Sequence, residues 1–372
     1  MNTFGTMQGG ISTFAPKIKT TIAGSWSALG TGTNNLVTTI SAVDPSNVYI
    51  GGNFTQANGA TVNYIAKWNG SSWSTLGGGP GVNNIVAASY ALDASNIYFG
   101  GSFTTTNGSP SASRIVKWTG SSWVVVGTGV NGDFGVNDNI YGLHASSTSN
   151  LILTGKFLNV GGNIAPISAI RVGKWDGSAW SSLGSGLNLS GNAVWAVNSN
   201  NVYVGGDFTS AGGVANTSYI ANWNGTAWNA LGTGMNNTVN AIYALDASNV
   251  YVGGGFTTAS GATANRIAKW NGSSWSTLGS GTNGPVLAIH AYDASNIIIG
   301  GNFTTAGGVT CNYIAKWDGS SWRALGSGTV GTNSYVDAVR MVDANTIYAG
   351  GNFTTAGGVA CNYVAKFTVP PP

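Results

Sequence analysis

The chain is one unit written seven times. A Gly-Gly pair, a Phe-Thr pair, a Lys-Trp pair, a turn and a Trp-x-x-Leu-Gly segment recur, with local changes, along 372 residues. The second Trp of each unit stands at Trp26, Trp73, Trp123, Trp180, Trp228, Trp275 and Trp322, so the spacings are 47, 50, 57, 48, 47 and 47 residues. A unit of this size cannot bury its apolar face alone. Its neighbours must stack against it, in a solenoid or around a ring.

Composition decides what the unit is made of. Only 7% of residues are charged, against about 25% in ordinary domains, and the 58 Gly are roughly twice the usual share. Every acidic residue is Asp, and Gln occurs only at Gln8 and Gln56. The residues that clothe helix surfaces are therefore scarce, while β-branched and aromatic residues abound. This is an all-β composition. The net charge of +3 is dispersed and leaves no nucleic-acid footprint. The first twenty residues hold Lys17 and Lys19 but no apolar run, so neither a secretory signal nor a membrane span is read there. A surface poor in charge and rich in Gly, Ser, Thr and Asn suits an exposed setting such as a virus or phage particle.

Within the unit of residues 36–76, an apolar run (36–43) ends at the turn Asp44-Pro45-Ser46-Asn47. A second strand (47–54) carries Gly51-Gly52, where another backbone approaches closely, and a polar loop (55–61) follows. A third strand (64–68) and a fourth (73–76) flank the tight Asn69-Gly70 turn. Four antiparallel strands per repeat of this length describe a propeller blade. The last repeat lacks its fourth strand, and residues 25–30 supply an orphan copy of it. Pairing the two closes the ring without an open edge. The expected fold is a seven-bladed all-β propeller over residues 24–369, with an arm at 1–23 and a tail at 370–372. The blades fall at about 36–77, 85–127, 139–184, 192–232, 239–279, 286–326, and 336–367 with 24–30.

The Gly51-Gly52 pair followed by Trp68 and Trp73, matched by Gly300-Gly301, Trp317 and Trp322, resembles the kelch-type propeller repeat. The resemblance covers about residues 24–367. It departs in its short Gly-based hairpin and its lack of charged residues. It implies a propeller, most often a protein-binding platform and less often an oxidase or a sugar binder.

Thirteen of the fourteen Trp, and Phe54, Phe103, Phe157, Phe208, Phe256, Phe303 and Phe353, hold fixed repeat positions and are read as packing between blades. Trp195 is the exception. Three residues before the turn, the first strands carry Ser41, Tyr90, Tyr141, Trp195, Tyr243, His290 and Arg340, whereas neighbouring columns are nearly all Ala. Such a variable column either wedges the blades apart or lines the axis and binds a ligand. The first reading is favoured, and these seven are also the candidate binding residues. His144 is read at the turn position that Asp44, Asp93, Asp246, Asp293 and Asp343 hold elsewhere. Two separated His and no Asp-x-Asp-x-Asp run give no metal site. Cys311 and Cys361 share one repeat position, too far apart for a disulfide, and are read as free and buried. The Lys series (Lys67, Lys117, Lys174, Lys269, Lys316, Lys366, broken by Asn222) is read as a solvated face.

No catalytic constellation, phosphate loop or cofactor fingerprint is found. The third repeat departs most, through a lead-in loop whose Asp133 and Phe134 are two further candidate binding residues and through a longer turn at 146–149. The expectation is a non-catalytic binding or structural propeller with a protein partner and no cofactor. A carbohydrate-binding propeller is the alternative.

Overall fold

Seven four-stranded antiparallel sheets, with no helix among the described residues, make up the computed structural model of this chain. It describes residues 20–370 except 80, 108–113, 128–135, 137, 162–165, 327–328 and 331–334. No helix of the described residues is long and apolar enough to cross a membrane.

Blade one shows the plan. Val37–Asp44, Asn47–Gly52, Ile65–Trp68 and Trp73–Ser74 lie side by side in that order. Ser41 faces Tyr49, Tyr49 faces Lys67, and Trp68 faces Trp73. The first turn forms because Asp44 accepts the Ser46 amide at 2.7 Å and the Asn47 side chain at 2.9 Å. Asp93, Asp246 and Asp293 repeat this. In the second turn Asn69 accepts the Ser71 and Ser72 amides while Gly70 takes a left-handed φ of 99°. Residues 55–61, expected as a loop, contain a small hairpin of Gln56–Ala57 with Ala60–Thr61. Asn58 and Gly59, with φ of 51° and 76°, make its mirror-image turn.

The ring closes as expected. Ser25–Ala28 pairs antiparallel with Val364–Thr368, setting Trp26 opposite Phe367 with ring centres 5.1 Å apart. Thr21 and Ile22, read as part of the arm, add a parallel fifth strand to blade six along Trp322–Leu325.

The core lies between successive sheets. The seven repeated Phe are at most 1% exposed. The second Trp of a blade reaches back and donates Nε1–H to a carbonyl of the preceding blade. Trp73 bonds Leu29 at 2.7 Å, Trp123 Leu76 at 3.2 Å and Trp228 Leu183 at 3.0 Å. Trp275 bonds Leu231 at 2.9 Å, Trp322 Leu278 at 2.8 Å and Trp26 Leu325 at 3.0 Å. Each latch therefore joins the Trp of one motif to the Leu of the motif before it. Only Trp180, whose Nε1 is buried with no partner among the described residues, departs.

Sheets also approach through a small-against-large contact. A Cβ on Gly51 would lie 2.5 Å from Val86 Cγ1 of the next blade, and Gly253 and Gly300 meet Val286 and Val336 in the same way. Between blades three and four the sizes are exchanged. Thr154 stands at the Gly position and Gly191 at the Val position, and a Cβ on Gly191 would strike the Thr154 hydroxyl. One steric rule thus holds with its partners swapped.

Candidate functional site

Hydrogen-bonded register corrects the axial column. His144 faces Ile152 as Ser41 faces Tyr49 and Trp195 faces Tyr203. The layer is therefore Ser41, Tyr90, His144, Trp195, Tyr243, His290 and Arg340, with His144 in the place given to Tyr141. The turn of blade three is no longer than the others, since Ser147 pairs with Asn150 as Asp44 pairs with Asn47. Its Ser-Thr-Ser-Asn lacks the Asp or Asn that marks the turn elsewhere, which shifts a count made from sequence. His144 accordingly does not cap a turn. It is 3% exposed at the axis.

Side chains of this layer stack into an arc across five blades. Ring centres are 4.4 Å apart for Tyr90–His144, 4.0 Å for His144–Trp195, 4.1 Å for Trp195–Tyr243 and 4.6 Å for Tyr243–His290. Tyr90 also meets Trp195 edge-on at 6.1 Å. Arg340 follows His290 and ties blade seven to blade one, Nη2 donating to the Ala42 carbonyl at 3.0 Å. Wedging and lining are thus done by the same residues.

Above the arc lies a cup of about 190 Å³. Tyr90, Trp195, Tyr243, His290 and Arg340 line it, and its walls are small residues such as Ala88, Gly142 and Ala241. Tyr141 lines it too, one step nearer the mouth, where Asp337 holds the equivalent position. Of the nine residues singled out from sequence, six line this cup and Ser41 is buried in the layer. Asp133 and Phe134 lie outside the described residues.

The electrostatics of the cup follow from burial around one fixed cation. Burial, with the Arg340 charge behind it, holds His144 down to about 3 and His290 well below the usual imidazole value. Both rings are acceptors at Nδ1, His144 from the Ala196 amide at 3.2 Å and His290 from the Met341 amide at 3.4 Å. Burial pushes Tyr243 up to about 12 against the pull of Arg340. The Asp337 carboxyl is pushed up to about 7 by burial.

A second surface surrounds the axis at the turn end of the first strands. Two residues beyond the arc, the register places Val43, Leu92, Ser146, Val197, Leu245, Tyr292 and Val342. Tyr292 is 52% and Val43 39% exposed, and none of the seven is fully buried.

The Lys series is not a solvated outer face. Lys67 lies over the Tyr49 ring at 5.5 Å and Lys269 over Tyr251 at 5.7 Å, while Lys316 is 7% exposed and donates to the Ala344 carbonyl. Third strands are interior to their sheets, so these stems pack instead of guarding an edge. Cys311 and Cys361 are free and buried, as expected.

One column escaped the sequence reading. Tyr64, Arg114, Arg171, Tyr219, Arg266, Tyr313 and Tyr363 precede the third strands, all left-handed with φ between 63° and 74°. Each amide donates to the carbonyl of the repeated Phe at 2.7–2.8 Å. A non-Gly residue in this conformation costs about 1 kcal/mol or more, so the fold must require its side chain. Arg171 and Arg266 reach the Leu187 and Thr282 carbonyls at the next blade, and Tyr64 packs against that blade's core. The restriction to Tyr and Arg at a strand start was the available signal.

Against known proteins, a profile of the Rax2 C-terminal β-propeller domain matches residues 178–346, less than half of the chain. Among solved structures the chain is similar to the WD40 β-propeller domain of Doa1, at 14% identity over 94% of this chain and 98% of that one, with a TM-score of 0.60. U3-55K is similar at 13% identity over 92% and 98%, with a TM-score of 0.60. YCF48 bound to D1 peptide is similar at 11% identity over 93% and 97%, with a TM-score of 0.53. The chain is a β-propeller. At these identities the likeness is one of fold. No curated protein sequence matches it.

Proposed function

We propose that this chain is a non-catalytic binding propeller that docks a protein partner on the turn face around its axis. The observation that carries the reading is the ring of Val43, Leu92, Val197, Leu245, Tyr292 and Val342. Six of seven equivalent positions are apolar and none is fully covered. Single exposed apolar residues are ordinary, but a repeated position around one axis gathers them into a patch, and such patches mark interaction sites. Tyr292 is a rigid anchor of the kind that dominates binding energy. YCF48, which shares the fold, has a structure with a bound peptide. The kelch-type repeat pattern supports the same role, and the low charge of 7% supports a place on a particle or surface. A photo-crosslinker at position 292 is expected to capture one defined protein in the native setting, and one at Val359 is not. Equal capture from both positions would remove the proposal.

A second reading, glycan binding, is favoured by a pocket between blades four and five. Asn200, Asn201, Asn222, Asn224 and Asn229 line it with Tyr203 and Trp270. Asn222 stands where six other blades carry Lys, so this pocket presents amides that suit sugar hydroxyls. In a glycan-array screen, binding that Asn222→Lys abolishes would select this reading.

A further inference from the structure

We propose that the axial cup is an anion site for a small carboxylate, held by Arg340 together with ring N–H and phenol donors of the same layer. The proposal does not depend on the docking face, which lies beyond the arc at the other end of the first strands.

The aromatic layer at the cup collects hydrogen-bond donors. Because His144 and His290 each accept a backbone amide at Nδ1, the proton of each neutral ring sits on Nε2 and makes it a donor. Among the described residues, Arg340 Nε at the cup, and His144 Nε2 and Ser41 Oγ in the layer behind it, are buried without a partner. Tyr90 and Tyr243 add two phenols, and the Arg340 charge is felt by both, as well as by both imidazoles. The guanidinium is therefore central to the layer.

That guanidinium has no counterion. Among the described residues no carboxylate forms an ion pair with Arg340, whose Nη2 is engaged only by the neutral Ala42 carbonyl. A half-buried cation without a counterion and buried orphan donors are both costly, and an acceptor-rich anion relieves them together. The one acidic side chain lining the cup, Asp337, stands at the mouth, forms no ion pair with Arg340 and has its carboxyl pushed up to about 7 by burial.

Shape selects the class. A cavity of 190 Å³ has room for about six waters' share of liquid volume, enough for a small organic acid. The planar guanidinium suits a carboxylate better than a halide. The ring edges that Tyr90, Trp195 and Tyr243 present to the cup offer apolar contact to the body of such a ligand.

Isothermal titration of the full chain with acetate and benzoate, against chloride at constant ionic strength, tests this. One carboxylate per chain is expected to bind, with chloride competing poorly. Arg340→Gln should weaken binding at least tenfold. Because Arg340 also ties blade seven to blade one, Tyr243→Phe serves as a second variant that keeps the stack and removes one donor, with a loss of severalfold expected. Carboxylates that bind no better than chloride, or wild-type affinity in both variants, would overturn the assignment.

Discussion

Trp73 and Trp180 hold the same repeat position and differ in one hydrogen bond. Trp73 Nε1 donates to Leu29 at 2.7 Å, whereas Trp180 Nε1 is buried without a partner. Substitution by Phe keeps most of each ring and removes the N–H. Losing a satisfied bond costs about 1 kcal/mol and orphans a carbonyl, while deleting an unsatisfied donor removes a desolvation penalty. Trp73→Phe should therefore lower stability by about 1–2 kcal/mol in a denaturant titration, and Trp180→Phe by clearly less. Equal losses would show that the latch contributes nothing. His144 gives a residue-scale prediction in pH. Its folded value of about 3 lies below the ordinary 6.5, so the unfolded chain binds the extra proton. The stability linked to this ring is complete above about pH 6.5 and falls as pH drops toward the folded value. At pH 4.5 the loss is on the order of 3 kcal/mol, from two pH units at about 1.4 kcal/mol each. His144→Phe gives up the bond from the Ala196 amide at every pH but should flatten this acid limb. Melting curves that stay parallel to wild type from pH 7 to 4.5 would contradict it.

At the scale of the element, the exchanged Thr154 and Gly191 offer a double-mutant cycle. Gly191→Val alone drives a large side chain into the Thr154 hydroxyl and should cost several kcal/mol, as overpacking does. Thr154→Gly alone leaves a void and should cost about 1–2 kcal/mol. Together they rebuild the pair seen at Gly51 and Val86, so most of the loss should return. Additive costs would mean that the two sites do not share one space. The blade itself was legible in sequence because its turns are chemical: Asp44, Asn69 and Gly70 form the bonds their types imply. Blade three was misregistered because Ser147 replaces that Asp and removes the mark from which residues are counted. The hairpin at Asn58-Gly59 had its signal, and only the brevity of its strands hid it. The axial cup was half legible. Variation at one column pointed to Tyr90, Trp195, Tyr243, His290 and Arg340, but the stacking and the orphaned donors depend on distances between blades that no single repeat encodes.

Over the whole molecule, seven equal interfaces make a ring only if the last is as good as the first. The seam is built on the common plan, with Phe367 in place of the usual Trp: Trp26 faces Phe367, Trp26 Nε1 donates to Leu325, and Tyr348 and Val364 pack with Val37 and Phe54. The seam differs in being sealed by Ser25–Ala28, about 340 residues from its partner strand, so it carries the largest loop-closure cost and tests the architecture. The closing measurement is the thermal midpoint of a Trp26→Ala, Ser27→Pro double variant, which loses the buried indole and the strand pairing while keeping every other blade whole. A closed ring predicts a cost of about 4 kcal/mol or more, a fall in Tm of roughly 5 °C or more, and association through the bared edge of blade seven. A midpoint and a monomer unchanged from wild type would contradict the closed ring.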